Sequence, residues 1–217
     1  MKSRAVAELA GEHSRSRGLA ETGTRPAAPP YFFLSYARSA DDGALRAFFA
    51  ELSDEIRTWT GERAQPVGFM DRASLRAGEY WPDEVADALC RCQVFLPVCS
   101  PAYAASRVCG QEWAVFQRRL AAYEAATGRR PPSLIPLLWL PGEVPPEVAS
   151  IQYDDERFGP AYRRYGLRHL LRIGAHRDDR LLFIQELARR VVTVAREYPL
   201  VRLRPRPALH TVPSAFH

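Results

Sequence analysis

Lysine is almost absent from the sequence. Lys2 is the only lysine among 217 residues, so nearly all of the positive charge comes from arginine. A Walker-type phosphate loop needs a lysine, Schiff-base enzymes need a lysine nucleophile, and a phospho-receiver domain of this size would be expected to use one. The sequence therefore excludes these three classes of protein.

The sequence also lacks the spacings of dinucleotide and metal sites. No G-x-G-x-x-G follows a predicted strand, so the dinucleotide fingerprint of a dehydrogenase is missing. The five histidines show no metal-ligand spacing, and the four cysteines form no C-x-x-C pair. We therefore expect no metal and no cofactor, and we expect buried free thiols at Cys90, Cys92, Cys99 and Cys109.

Long apolar runs are missing as well. No run approaches the roughly 20 apolar residues that a membrane helix needs. The first residues lack the continuous apolar core of a secretory signal, because Glu8, Glu12 and Arg15 interrupt it. These absences predict a soluble protein of the cytoplasm that does not interact with membranes.

The excess positive charge is spread among acidic residues. The net charge is +5, and its densest clusters are Arg163–Arg164 and the stretch from Arg202 to Arg206. No aromatic-interleaved basic stripe accompanies them, as a nucleic-acid site would require. A solvated surface is the better interpretation, and we predict no nucleic-acid partner.

The chain is predicted to contain one domain between two tails. Residues 1–29 are rich in Ala, Arg, Glu, Ser and Gly and run into a proline-rich linker, which predicts a flexible N-terminal tail. The length suits a single core over residues 30–200. Residues 201–217 are predicted to form a flexible C-terminal tail.

Apolar runs and helical periodicities alternate along the domain. The predicted strands are residues 31–36, 67–70, 94–99, 134–140 and, more weakly, 151–153. The first predicted helix ends with Trp59, and Asp41 or Asp42 could cap its start. Further helices are predicted from Pro82 through Cys92, from 108 to 126 and from 178 to 198, the last with Leu181 on its apolar face. This alternation predicts an α/β fold, a flavodoxin-like, doubly wound parallel sheet of five strands with helices on both faces. Pro97 and Pro136 are expected to mark strand ends or edges, and residues 142–174 show the least regular pattern.

Three segments at the ends of predicted strands resemble signatures of Toll/interleukin receptor (TIR) domains. The first is F-L-S-Y, residues 33–36. The second is F-M-D-R-A-S-L-R-A-G-E-Y-W, in which Asp71, Leu75, Gly78 and Trp81 resemble the loop after the second strand. The third is S-P-A-Y-A-A-S-R-V-C-G-Q-E-W, residues 100–113, which is similar to the family's serine followed by Cys-x-x-Glu. The matches occur in the correct order over residues 30–198, and V-F-L-P-V-C-S-P with G-Q-E-W looks closest to actinobacterial TIR-like proteins of the FxsC type.

The resemblance implies a site and two kinds of activity. In family members that cleave NAD, the glutamate of Cys-x-x-Glu is catalytic, and it corresponds to Glu112. The loop from Asp71 to Trp81 would serve self-association with other TIR domains and close the site. The resemblance therefore favours hydrolysis of the nicotinamide–ribosyl bond of NAD by self-assembled protein. Its alternative is a non-catalytic signalling or adaptor module that binds other proteins through the same loop.

The position of Glu112 can also be considered without the family. On a helix, it lies about 60° from the apolar stripe of Cys109, Trp113 and Phe116, which predicts a margin between core and solvent. A carboxylate there could stabilise an oxocarbenium-like ribosyl cation. The alternative is an acid in the first turn that stabilises the helix dipole, bonded to Arg107 or to a free backbone N–H.

Ligands of an open parallel sheet gather beyond the carboxyl ends of its strands. We therefore expect the ligand site to involve Ser35, Arg38, Asp71, Trp81, Ser100 and Cys109. Arg38 could meet a pyrophosphate, although an exposed arginine is more often a solvated surface residue. Trp81 could contact a ligand or pack in the core, and Ser35 could simply satisfy backbone groups. A nucleoside deoxyribosyltransferase-like enzyme, which also uses a glutamate at an N-glycosidic bond, is a third hypothesis.

Overall fold

The computed structural model describes residues 28–38, 41–63, 65–70, 83–142, 146–149, 151 and 156–216. The predicted N-terminal tail, apart from its last two residues, lies outside them. The predicted loop from Asp71 to Trp81 lies outside them as well. None of the described helices is long and apolar enough to cross a membrane.

A parallel sheet forms the centre of the molecule. Its strands are β1 (Phe32–Ser35), β2 (Gly68–Met70), β3 (Val94–Cys99) and β4 (Leu137–Leu138). Their order is β2-β1-β3-β4, and every pair is parallel. The described residues thus contain four strands, where the sequence predicted five. Ile151 lies in a bend, and the rest of the predicted fifth strand lies outside the described residues.

Seven α-helices are described around this sheet. They are α1 (Asp42–Thr60), α2 (Asp83–Arg91), α3 (Pro101–Ala104), α4 (Arg107–Thr127), α5 (Pro146–Ala149), α6 (Pro160–Arg172) and α7 (Arg177–Glu197). Successive strand residues face opposite sides, so Phe32 and Leu34 pack with α1, α6 and α7. Phe33 packs on the other side with α2 and α4. The α/β architecture with helices on both faces is therefore confirmed.

Two predicted apolar stripes are shorter than the sequence pattern suggested, one at its end and the other at its start. Trp59 is 47% exposed, because the buried face of α1 stops at Ile56. Leu181 is 43% exposed, because the buried face of α7 starts at Phe183. Both side chains lie near an end of their helix and are only partly covered.

Helix α6 was missed by the sequence pattern. Gly166 interrupts it with φ 76° and ψ 172°, so the apolar periodicity of its two halves does not join. A Cβ at this position would lie 2.8 Å from the carbonyl oxygen of Trp139 and 3.0 Å from the Cα of Leu140. Both the positive φ and the close approach to the chain after β4 require glycine here.

Pro97 and Pro136 interrupt the pairing of β3 with β4. Pro97 lies inside β3, which has neighbours on both sides, so its prediction as an end or edge residue is wrong. The β3–β4 pairing consists of a bridge from Phe95 to Leu134 and a ladder that starts at Val98 and Leu137. Pro97 and Pro136 lie in the gap between them, because neither can donate a ladder hydrogen bond.

Residues 199–216, which we call the strap, pack against the domain. They include the segment from residue 201 that the sequence predicted as a flexible tail. Leu209 and Val212 are 3% and 2% exposed. Leu203 donates its N–H to the carbonyl of Cys90 at 3.1 Å, and Arg206 pairs with Asp83 at 2.7 Å. The few apolar residues that anchor the strap are separated by arginine and proline, so they form no periodic signal.

Candidate functional site

A cavity opens at the carboxyl edge of the sheet. It measures about 330 Å³ and is bordered by the end of β1, by α3 and by the first turns of α4. Four of the predicted site residues line it together, and these are Ser35, Arg38, Cys109 and Glu112. Ser35 and Arg38 thus meet Cys109 and Glu112, which lie 71 positions or more further along the chain, at the edge where a parallel sheet binds its ligands.

Glu112 is held by a chain of two hydroxyl groups. The Ser35 hydroxyl donates to Oε2 of the Glu112 carboxylate. The Ser35 Oγ also lies 3.0 Å from the Tyr103 Oη. Because the single hydroxyl hydrogen of Ser35 is directed to the carboxylate, Tyr103 must be the donor in the second bond. The order of donation is therefore Tyr103 to Ser35 to Glu112.

Glu112 is more deeply buried than the sequence predicted. The helical wheel placed it between core and solvent, but the residue is only 3% exposed. The reason is that α4 has neighbours on both sides at its start. Ser35 and Tyr103 approach Glu112 from one side, and the strap covers Gly110 and Gln111 on the other.

The dipole interpretation of Glu112 does not fit its place in the helix. Helix α4 begins at Arg107, and its first turn contains no acidic residue. Ser106 caps the helix instead, and its Oγ accepts from the N–H of Cys109 at 3.2 Å. Glu112 lies in the second turn, where the free backbone donors of the helix start are no longer available.

Two neighbouring acids of the site stay protonated. Burial, together with the negative charge of Glu112, raises the pKa of the Cys109 thiol far above its ordinary value. Burial, together with the nearby Cys109 and Glu112, raises the pKa of Tyr103 well above its usual value. Cys109 is thus a thiol rather than a thiolate nucleophile at neutral pH, and Tyr103 keeps the hydrogen that it donates.

Ser100 lies beside the same edge but lines a second cavity. This cavity measures about 270 Å³ and is bordered by Leu45, Val98 and Trp139. The two cavities share Tyr36, Ala37 and Ala102 in their walls. The Ser100 side chain itself caps α3 and accepts from the N–H of Tyr103 at 3.1 Å.

The remaining predicted residues and one unpredicted residue complete the comparison. Asp71 and Trp81 lie outside the described residues. Tyr103 was not predicted, although its place three residues after the strand-end Ser100 was a usable signal, because a buried tyrosine hydroxyl needs a partner. No cluster of three or more His, Cys, Asp or Glu side chains in the described part of the chain could hold a metal ion.

A family comparison agrees with this geometry. The TIR domain matches residues 32–171, which is more than half of the chain. The chain belongs to the TIR domain family. The match includes the sheet and the residues that line both cavities, whereas α7 and the strap follow the matched part of the TIR domain. No curated protein matches the chain.

Proposed function

We propose that this TIR domain, when self-assembled, hydrolyses the nicotinamide–ribosyl bond of NAD, with Glu112 as the catalytic residue. The observation that carries the proposal is the buried carboxylate of Glu112 on the wall of a cavity, bonded to Ser35. We also propose a cytoplasmic location and a relationship to actinobacterial TIR-like proteins of the FxsC type.

Burial of a carboxylate lowers the stability of a protein. Its removal from water costs several kcal/mol unless partners and hydrogen bonds offset the loss. The Ser35 hydroxyl donates to the Glu112 carboxylate, and Tyr103 in turn donates to that hydroxyl. A carboxylate held in this way beside a cavity supports a role in stabilising positive charge.

The chemistry requires only one carboxylate. As the bond from the ribose carbon to nicotinamide breaks, the bonding electrons leave with nicotinamide, which departs as a neutral base. The ribosyl carbon becomes oxocarbenium-like, and the Glu112 carboxylate stabilises this cation. Water then adds to the carbon and transfers a proton to the carboxylate, which releases it to solvent. NAD and water thus give ADP-ribose, nicotinamide and a proton.

The sizes of the two cavities and the position of Arg38 are consistent with a ligand whose two halves occupy different cavities. The Glu112 cavity lies at the lower end of the about 300–1,000 Å³ usual for small-molecule sites. It suits the nicotinamide–ribose half of NAD better than the whole dinucleotide. Arg38 stands exposed at its rim, where a guanidinium could bind the pyrophosphate. The neighbouring cavity beside Ser100 and Trp139 offers room for a further part of the ligand.

The loop from Asp71 to Trp81 is the segment through which we propose that the protein self-associates. It follows β2, which is the immediate neighbour of β1 in the sheet. This connectivity starts the loop at the sheet edge that holds Ser35. We therefore propose that self-association through this loop closes the site.

The second candidate is a non-catalytic adaptor that binds other TIR domains. It is favoured by large apolar side chains that are exposed on the domain surface, among them Leu182 at 65% and Trp59 at 47%. Such side chains can provide apolar contacts at an interface between proteins. This candidate requires no cleavage of NAD and leaves the burial of Glu112 without a purpose.

The decisive experiment compares Glu112→Gln with the wild-type protein. Glutamine is nearly isosteric and can still accept from Ser35, so folding is expected to persist. Glu124→Gln is the matched control, because Glu124 lies exposed on the same helix. Nicotinamide release from NAD is measured at high protein concentration, where assembly is favoured. We expect wild-type activity in the control and a loss of about 100-fold or more in Glu112→Gln.

Each alternative has its own result in this assay. Equal release by Glu112→Gln and wild type would remove Glu112 from the proposed role. No release from any assembled form would favour the adaptor. Base exchange on a deoxynucleoside would instead support the deoxyribosyltransferase hypothesis.

A further inference from the structure

The strap binds the two residues that separate Cys109 from Glu112. Cys109 and Glu112 line the cavity on the inner face of α4. Gly110 and Gln111, which lie between them, make their contacts with residues 212–215. One short stretch of helix therefore forms a wall of the site and a docking surface for the strap.

Gly110 allows the strap to approach the helix closely. Ala215 donates its N–H to the carbonyl of Gly110 at 3.1 Å. A Cβ at position 110 would lie 2.0 Å from the Ser214 Oγ and 3.1 Å from the Ala215 nitrogen. Glycine weakens a helix interior by about 1 kcal/mol relative to alanine. Its presence here follows from the contact rather than from helix formation.

Gln111 adds a polar contact to the same surface. The residue is 3% exposed, and its Nε2 donates to the carbonyl of Val212 at 2.9 Å. The Val212 side chain is itself buried in the same core cluster as Cys109 and Trp113. The strap is thus fixed on both sides of the helix start by a hydrogen bond and by apolar packing.

Phe216 connects the strap to the hydroxyl chain of the site. Its ring centre lies 5.7 Å from the ring centre of Tyr103 and 5.6 Å from that of Trp113. Both pairs are tilted, at separations usual for favourable aromatic contacts. Tyr103 holds the Ser35 hydroxyl, and Ser35 holds Glu112. Three successive contacts, through Tyr103 and Ser35, therefore link Phe216 to the Glu112 carboxylate.

The beginning of the strap has a separate anchor. Arg119 donates to the carbonyls of Leu200 and Val201, and Gln93 exchanges two hydrogen bonds with the backbone of Leu200. These contacts lie at the far end of the strap from Phe216. Loss of the contacts of residues 212–216 can consequently leave the rest of the strap attached.

We infer that Phe216 and the strap are positioning elements of the site: by packing on Tyr103, Trp113 and Gly110, they hold the Ser35 hydroxyl on the Glu112 carboxylate. The inference rests on the proposed function for its catalytic consequence. It extends the site beyond residues 32–171, the part that matches the TIR domain. Displacement of the strap reduces catalysis while the cavity keeps its ligand-binding wall.

Gly110→Ala is the sharpest variant for the test. The new methyl group collides with Ser214 and displaces the strap, whereas alanine strengthens α4 itself. Ser214→Gly in the same chain removes the colliding side chain, so we expect this double variant to recover part of the wild-type behaviour, although it also loses the hydrogen bond from the N–H of Phe216 to the Ser214 Oγ. Phe216→Ala removes the ring contacts, Phe216→Leu retains apolar packing, and Val201→Ala is the control, because its side chain is 84% exposed within the same strap.

The first readout does not depend on activity. Cys109 is 1% exposed and shares its core cluster with Val212 of the strap, and Cys92 is fully buried at the end of α2. Alkylation of each thiol by iodoacetamide is followed by peptide mass analysis of the full chain. We expect Cys109 to react at least about fivefold faster in Gly110→Ala and Phe216→Ala, with Cys92 unchanged. Unchanged alkylation of Cys109 would overturn the inference and leave the proposed function standing.

The second readout is steady-state nicotinamide release from NAD. For Gly110→Ala and Phe216→Ala we expect kcat to fall about tenfold, with KM within about twofold of wild type. Gly110→Ala with Ser214→Gly, Phe216→Leu and Val201→Ala are expected to lie within about threefold of wild type. Faster alkylation with an unchanged kcat would overturn the positioning role. Absence of nicotinamide release by the wild type would overturn the proposed function and the catalytic part of this inference. The alkylation rates would still show separately whether the strap contacts protect Cys109.

Discussion

Ser35 donates its hydroxyl hydrogen to the carboxylate of Glu112, and this bond joins the end of the central strand β1 to the second turn of α4. Both residues are almost fully buried, at 1% and 3% exposure. This hydrogen bond helps to orient the buried carboxylate of the site.

Substitution Ser35→Ala is expected to affect stability and catalysis together. Without its donor, the buried carboxylate loses a partner, which costs about 1–3 kcal/mol of unfolding free energy. Nicotinamide release is expected to fall about tenfold or more, because the carboxylate loses its orientation. Urea unfolding and the NAD assay measure the two effects.

Ser53→Ala is the matched control for Ser35→Ala. Ser53 is also buried, but its hydroxyl only donates to the carbonyl of Phe49 one turn earlier in α1. Nicotinamide release should remain at the wild-type level in this variant. Equal losses of activity in both variants would contradict a specific role for the Ser35 hydroxyl.

Arg119 is expected to be a strong determinant of stability. Its guanidinium is buried and donates to the carbonyls of Leu89 and Cys92 at the end of α2, and to that of Val201 in the strap. Arg119→Met keeps much of the apolar stem but removes these hydrogen bonds. We expect a loss of about 3 kcal/mol in unfolding free energy. Arg118→Met, at the exposed neighbouring position, should change it by less than about 0.5 kcal/mol, and similar losses in both would refute this role.

Asp41 connects two helices rather than capping one. The sequence offered it as a cap for α1, but its side chain makes no cap hydrogen bond. Its carboxylate instead pairs with Arg168 at 2.8 Å and Arg172 at 3.2 Å on α6. We expect Asp41→Asn to lower the unfolding free energy by about 1–2 kcal/mol, because the carboxylate is mostly buried while the arginines are half exposed.

An exposed ion pair provides the comparison for Asp41→Asn. Asp54 pairs with Arg57 on α1, and both side chains are exposed. Asp54→Asn should therefore cost less than about 0.5 kcal/mol by urea denaturation. Equal losses of unfolding free energy in the two variants at every salt concentration would contradict the link between α1 and α6.

The buried thiols predict how stability depends on alkaline pH. Burial raises the pKa of Cys99 to about 12 from a reference of 9.0 in the unfolded chain. Above pH 9 the unfolded state therefore loses this proton while the folded state keeps it. The stabilisation is fully present below pH 9 and is lost as the pH rises toward 12, by about 1.4 kcal/mol per pH unit for each such thiol.

Cys99→Ala tests this dependence. The variant is less stable at neutral pH because a buried side chain is lost, but its unfolding free energy should fall less steeply between pH 9 and 10.5. Urea titrations at several pH values measure the slope. A variant that declines as steeply as the wild type would show that this thiol does not govern the alkaline limb.

The sheet could be read from the sequence because its strands are short, continuous and apolar. β3 was predicted with its observed bounds, Val94–Cys99, since both faces of a central parallel strand are buried. Helix α6 could not be read, because Gly166 divides its periodicity. The strap could not be read either, since it is anchored by backbone and ion-pair contacts that leave no periodic pattern.

The site was partly predictable for a similar reason. The order of the segments around Ser35, Cys109 and Glu112 identifies residues that a parallel sheet brings to one edge. The helical wheel, however, describes one helix in isolation, so it could not show that Ser35 bonds to Glu112 while the strap packs on the neighbouring Gly110 and Gln111. Tertiary neighbours determine burial, and these neighbours are 9 residues or more distant in the chain.

In the proposed mechanism, the Glu112 carboxylate stabilises the ribosyl cation that forms as the nicotinamide–ribosyl bond breaks. The most direct measurement incubates concentrated wild type and Glu112→Gln with NAD and quantifies protein-bound NAD and free nicotinamide by chromatography. We expect nicotinamide and ADP-ribose from the wild type, and intact bound NAD with almost no nicotinamide from Glu112→Gln. Equal nicotinamide from both proteins would contradict this mechanism.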